Sequence, residues 1–215
     1  MTYRLAVTPG EPSGVGPELM YHLSKLDLKD TQLVIIASKE LIAQRIALFN
    51  SNHTESVKIT DYSRDNYVPQ TKGTLCVLDV PLAVPSVPGK LDKRNAKYVL
   101  DCLDIASDKS VSGEFSGIVT GPISKAVIAD TGLNFTGHTE YFQERTHTKK
   151  VVMMLGCKKF NVALATTHLP LKDVSDAITK ELLVEIVTIL NHDLKTKFGI
   201  DKPCIISAGL NPHAG

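Results

Sequence analysis

The sequence predicts an α/β fold with a largely parallel sheet. Short apolar runs recur along the chain as continuous blocks rather than clean alternations, which suggests strands covered on both faces. Helical patterns lie between several of them, the order expected of α/β architecture. A length of 215 residues allows one generous domain or two small ones around a sizeable core.

In chain order, the runs are YRLAVTP (3–9), LVIIAS (33–38), TLCVLDV (74–80), GIVTGP (117–122), VVMML (151–155), NVALATT (161–167) and CIISAGL (204–210). A helix is expected to begin near Pro17, and another over Asn95 to Val111 with Val99, Leu100, Leu103 and Ala106 on one stripe. The longest helical pattern covers 173–199. Its Ile178, Leu182, Ile186, Ile189, Leu190, Leu194 and Phe198 keep helical spacing, and Gly199 is placed to stop it. Residues 50–73 and 81–92, rich in Pro, Ser, Asn and Lys, read as surface loops. The segment ADTGLNFTG interrupts the pattern and marks a domain junction near 128–136.

Composition narrows the function. A formal net charge of +1 offers no electrostatic footprint for nucleic acid. No apolar run approaches the ~18–20 residues that span a bilayer, and the N-terminus lacks a signal-peptide pattern, so a cytoplasmic protein is expected. The four cysteines, Cys76, Cys102, Cys157 and Cys204, form no C-x-x-C pair and read as buried, reduced thiols.

Two strand-to-helix junctions carry possible binding chemistry. In TPGEPSGVGPEL (8–19), Gly10, Gly14 and Gly16 precede the helix that starts near Pro17. The spacing is neither the dinucleotide fingerprint nor a P-loop, so the block is either a tight β–α connection or an anion-binding loop. TGPISKAV (120–127) repeats the form, and its Lys125 is either solvated or a point charge for a phosphate or carboxylate.

Of seven histidines, His22, His53, His147 and His192 sit in polar or helical-surface contexts and read as incidental. His138 stands in FTGHTEYF after Gly137, with Thr139 and Glu140 at an expected helix start. His168 (ATTHLPL) and His213 (GLNPHAG) each follow an expected parallel strand, and ligand crevices of open α/β sheets lie at such carboxyl ends. Imidazoles there either cap the loop or ligate a metal, and a catalytic metal site takes about three protein ligands. No third ligand is evident near either.

Five ordered blocks, VTPGEPSGVGPEL, VTGPISKAV, FTGHTEYF, ATTHLPLKDV and AGLNPHAG, resemble the signature blocks of the 4-hydroxythreonine-4-phosphate dehydrogenase family over essentially the whole chain. The resemblance implies a fold akin to isocitrate and isopropylmalate dehydrogenases: two α/β domains with the active site in the cleft, working as a homodimer. It implies divalent-metal ligation (zinc, magnesium, cobalt or similar) by three histidines, two of them matching His168 and His213, and substrate contacts from His138 and Thr139. Gly14, Gly16 and Lys125 are carried as candidates for phosphate or cofactor binding; no catalytic base is assigned. The implied reaction is NAD- or NADP-dependent oxidation of 4-phosphohydroxy-L-threonine, whose β-keto acid product loses carbon dioxide, in vitamin B6 biosynthesis. A paralogous dehydrogenase of threonate or erythronate phosphate has the same chemistry. Family members continue past the position matching Gly215 to the third histidine. The resemblance therefore implies a truncated chain, inactive by itself, with a first domain over 1–130 lacking its return segment and a partial second over 131–215.

Overall fold

The computed structural model describes residues 2–50, 56–133, 135–211 and 213. The chain divides into two compact units, Met1–Thr148 and Lys149–Gly215.

The first unit is α/β. Strands β1 (Tyr3–Thr8), β2 (Thr31–Ala37), β3 (Lys58–Asp61), β4 (Thr74–Asp79) and β5 (Gly117–Thr120) form one sheet in the order β3-β4-β2-β1-β5, and every pairing is parallel. Helices α1 (Gly16–Leu23), α2 (Lys39–Asn50), α3 (Ala96–Val111), α4 (Lys125–Ala129) and α5 (His138–Arg145) complete it. Strand β2 shows why the apolar runs are continuous. Leu33, Ile35 and Ala37 point into one core with Met20 and Tyr21 of α1 and Ile42 and Ile46 of α2. Val34 and Ile36 point into a second core with Val99, Leu103 and Ala106 of α3. Successive side chains of a strand face opposite ways, so two covered faces demand apolar residues at every position. Each Val, Leu or Ile side chain among them contributes about 1.5–3 kcal/mol when fully buried.

Two elements differ from expectation. Strand β3 lies inside 50–73, expected to be loop; it is an edge strand of four residues that pairs with β4 alone. Helix α2 follows β2 directly and covers one sheet face, although its sequence raised no helical expectation. Segment 81–92 carries no helix or strand beyond an isolated Val87–Lys90 bridge.

The second unit contains β6 (Met154–Gly156) and β7 (Asn161–Ala163), then α6 (Val174–Ala177) and α7 (Lys180–Thr196). Strands β6 and β7 pair antiparallel, a correction to the parallel arrangement expected for this half. The single helix expected over 173–199 is interrupted. Ile178 and Thr179 are extended, and the Thr179 hydroxyl accepts from the Leu182 N–H at 3.1 Å, capping a new helix. Gly199 takes φ +67° just beyond the end, as expected of a stop residue. Segment 204–210 is not a strand, and Ile206 there is 87% exposed. An apolar run becomes a strand only where a neighbour accepts its backbone hydrogen bonds, and among the described residues none lies alongside this one.

Among the described residues no helix is long and apolar enough to cross a membrane. All four cysteines are free; Cys102 is buried, whereas Cys157 and Cys204 are exposed, contrary to the expectation of buried thiols.

Candidate functional site

The sheet order fixes where a site belongs in the first unit. From β1 the chain proceeds to β2 on one side, and from β4 it crosses back to β5 on the other. Strands β1 and β5 are parallel neighbours, so the connections after them leave the same carboxyl edge of the sheet, where ligands bind in open α/β folds. Those connections are the two junctions singled out in the sequence.

They interlock through backbone. The Glu11 N–H donates to the Pro122 carbonyl at 2.9 Å, and the Gly121 N–H to the Thr8 carbonyl at 2.6 Å. A side-chain carbon at Gly10 would strike the Pro122 carbonyl, and one at Gly16 would stand 2.7 Å from the Pro9 carbonyl carbon and closer still to its oxygen. Gly10 also has φ +82°. Close chain packing is thus sufficient reason for glycine at 10 and 16. Gly14 differs: a carbon there would come no nearer than 3.3 Å to Glu11, and its surface is partly open.

Three further groups hold the loop, and sequence reading missed them all. The Glu11 carboxylate, itself buried, accepts from the Ser13 N–H (3.1 Å) and hydroxyl (2.7 Å). Arg45 of α2, 1% exposed, donates to the Pro12 carbonyl at 2.9 Å and to the Ser86 hydroxyl at 3.3 Å, and lies 3.5 Å from Glu18. Burial lowers its pKa, and the Glu18 carboxylate offsets part of that. The Gly89 N–H donates to the Ser13 carbonyl. An arginine on an unremarked helix gave no signal of this role.

Lys125 and His138, thirteen positions apart, are brought together. Ser124 caps α4, which starts at Lys125, and Gly137 precedes α5, which starts at His138. The Lys125 Nζ lies 3.5 Å from where a side-chain carbon would stand at Gly137. The His138 ring meets Phe135 edge-on and stacks on Phe142, each centroid 6.2 Å away. Its Nε2 is buried and has no hydrogen-bond partner in the protein. Such an atom, like the buried hydroxyls of Thr8 and Ser107, is open to a water or a ligand. Thr139, half-buried, follows on the first turn.

Burial first, and the Lys125 charge second, hold the His138 pKa below its ordinary 6.5. The native chain then binds fewer protons than the unfolded chain as pH falls through 6.5. Stability from this group is present above that value and is lost below it. We expect His138→Gln to flatten this part of the pH dependence, read as urea midpoints from about pH 7.5 to about pH 5. An unchanged slope would show that the imidazole titrates normally.

The second unit carries His168 and His213. Both are exposed. His168 adopts φ +57°, a left-handed conformation uncommon outside glycine. The His213 N–H donates to the Asn211 side-chain oxygen at 3.1 Å. Because β7 is antiparallel to β6 and 204–210 is not a strand, neither histidine ends a parallel strand as expected. Two accessible imidazoles suit a transition-metal cation by donor type. Among the described residues, no three His, Cys, Asp or Glu side chains are grouped to hold one. His147 also has positive φ (+52°), but it terminates α5 as a glycine would; His53, Pro212, Ala214 and Gly215 lie outside the described residues.

The model of the family described as pyridoxal phosphate biosynthetic protein PdxA matches residues 29–215. The chain belongs to the PdxA family. Among curated PdxA-like relatives, the 4-hydroxythreonine-4-phosphate dehydrogenase of Chromobacterium violaceum is 54% identical over 211 residues, 98% of this chain and 62% of the relative. That of Enterobacter sp. (strain 638) is 48% identical over 213 residues, 99% of this chain and 63% of the relative. The structure of a candidate 4-hydroxythreonine-4-phosphate dehydrogenase from Salmonella typhimurium superimposes with a TM-score of 0.87 at 30% identity, covering all of this chain and 66% of that one. The chain thus spans somewhat under two thirds of the length of these curated PdxA relatives.

Proposed function

We propose that this chain carries substrate- and metal-binding residues of an NAD- or NADP-dependent 4-hydroxythreonine-4-phosphate dehydrogenase. The observation that carries the reading, in a member of the PdxA family, is the buried, unpartnered Nε2 of His138 beside the Lys125 ammonium. The substrate, 4-phosphohydroxy-L-threonine, is polar and anionic. A neutral imidazole with a free ring nitrogen and a nearby point charge suits it. His138 and Thr139 would hydrogen-bond it, and the depressed His138 pKa keeps that ring neutral near pH 7. Lys125, with the partly open turn at Gly14 and the buried Gly16 that lets it pack on Pro9, would meet its phosphate or that of the cofactor. His168 and His213 would hold the divalent cation.

In the reaction, the secondary alcohol loses a hydride and its hydroxyl proton to give a β-keto acid. The bond to the carboxylate then breaks, carbon dioxide leaves, and the remaining electron pair is protonated to yield 3-amino-2-oxopropyl phosphate. A bound cation supplies Lewis-acid polarisation of the reacting oxygen, and the nicotinamide supplies the hydride acceptor. A cytoplasmic homodimer is part of the same reading.

The test follows NADH formation from 4-phosphohydroxy-L-threonine, with added metal and after chelation. It uses both the 215-residue chain and the longest protein its gene encodes. Metal-dependent turnover sustains the reading. Turnover on threonate or erythronate phosphate instead keeps the chemistry and overturns the substrate. No turnover on any of these by either protein overturns the reading.

A further inference from the structure

Helix α5 begins with His138 and Thr139, yet it contains no fully buried residue. A helix of eight residues has little stability by itself, so its placement depends on what grips it. Tyr141 and Phe142 pack against the core that includes α3, and a polar grip, paired in register, is added to that. Asp104 and Asp108, one turn apart on α3, face Tyr141 and Arg145, one turn apart on α5. The Tyr141 hydroxyl donates to Asp104 Oδ1. Arg145 donates from Nε (3.0 Å) and Nη2 (2.7 Å) to the two oxygens of Asp108, and its Nη1 lies 2.9 Å from Asp104. Helix α3 is a firm reference, because seven of its residues are buried against the sheet.

We propose that Asp104, Tyr141, Arg145 and Asp108 are positioning residues that set the depth at which His138 and Thr139 meet the substrate.

Directional, charge-assisted bonds fix the axial position of a helix more sharply than apolar contacts, which tolerate sliding. A slide of α5 along α3 by about half a turn, roughly 2.7 Å, would take both partner pairs out of hydrogen-bonding reach at once. The link to the site is physical. The Tyr141 ring packs on Phe135 at 5.3 Å, and Phe135 meets the His138 ring edge-on. The Tyr141 hydroxyl therefore anchors one end of a short chain of rings, and the substrate-facing imidazole is the other end. Burial and the Asp104 carboxylate both raise the Tyr141 pKa, so its hydroxyl remains a donor. The assignment rests on the substrate-binding reading of His138, but its position can be measured without substrate.

The test compares Tyr141→Phe, which keeps the ring and removes the hydroxyl, with Asp104→Asn, which keeps an acceptor for that hydroxyl. Ile35→Val, in the other core, serves as a control for general destabilisation. The first readout is the His138 ring-proton resonance in the 215-residue chain, assigned by its loss in His138→Gln. Tyr141→Phe should move it, Asp104→Asn should move it less, and Ile35→Val should leave it in place. The second readout is steady-state kinetics on 4-phosphohydroxy-L-threonine in whichever form of the protein turns over. There Tyr141→Phe should raise KM about 3- to 10-fold with kcat within about twofold, as expected for weakened binding common to ground and transition states. A resonance that stays put, or one that Ile35→Val moves equally, overturns the proposal. So does a displaced ring with an unchanged KM. If the wild-type protein oxidises no phosphorylated hydroxy acid, the reading of function falls, and the resonance alone decides the positioning.

Discussion

Gly16→Ala is expected to be among the most damaging single substitutions in the first unit. The added carbon would overlap the Pro9 carbonyl, a backbone group locked between β1 and α1, so no side-chain rotation relieves it. Overpacking against movable side chains costs about 1–3 kcal/mol, and a rigid backbone obstacle belongs at or above the top of that range. That is a large part of the ~5–15 kcal/mol that holds a domain folded. Urea denaturation followed by circular dichroism should show a midpoint far below wild type, or no folded baseline. Gly14→Ala is the comparison: its nearest obstacle is 3.3 Å away, and its effect on stability should be about 1 kcal/mol or less. Equal effects at both positions would show that the loop yields, and that Gly16 is not held by packing.

His168→Ala and His213→Ala should show the opposite profile. Both side chains are exposed, so neither substitution should change unfolding free energy by more than about 0.5 kcal/mol. His168→Ala retains the left-handed backbone at φ +57°, so any small cost there is conformational. Metal affinity should fall far more. Losing even a supporting contact of a metal ligand costs about 10- to 100-fold, and loss of the ligand itself should cost at least that. Calorimetric titration of zinc or cobalt into each variant, in the form that binds metal, measures this directly. Unchanged affinity in both variants would overturn the proposed metal ligation by these histidines. A large loss of stability would give them a structural role instead.

Much of the first unit is legible in the amino-acid order. The continuous apolar blocks of β1, β2 and β4 signal a sheet covered on both faces; that of β5 forms a strand too, but at the sheet edge, with Val119 exposed. The Gly-Pro junctions, and the Gly137–His138 start of α5, stand out as punctuation. The Arg45 clamp on Pro12 does not, because a basic residue on a helix looks the same whether it is solvated or buried. Nor does the Asp104–Tyr141 and Asp108–Arg145 pairing, which joins residues 37 apart in sequence. In the second unit the sequence misleads. CIISAGL has the composition of a buried strand, yet it pairs with nothing among the described residues, and the apolar period across 173–199 conceals the Thr179 cap.

Local patterns alone specify the α/β class, the order of most elements in the first unit and the ordered blocks that resemble the PdxA family. Side-chain period, turn residues and motif spacing are all properties of neighbours along the chain. Three-dimensional packing settles the rest: that the loops after β1 and β5 interlock, that Lys125 stands beside a half-buried His138, and that segment 204–210 is no strand. Those outcomes depend on which distant backbone groups come within hydrogen-bonding reach and which charges lose water together, and a one-dimensional pattern carries neither.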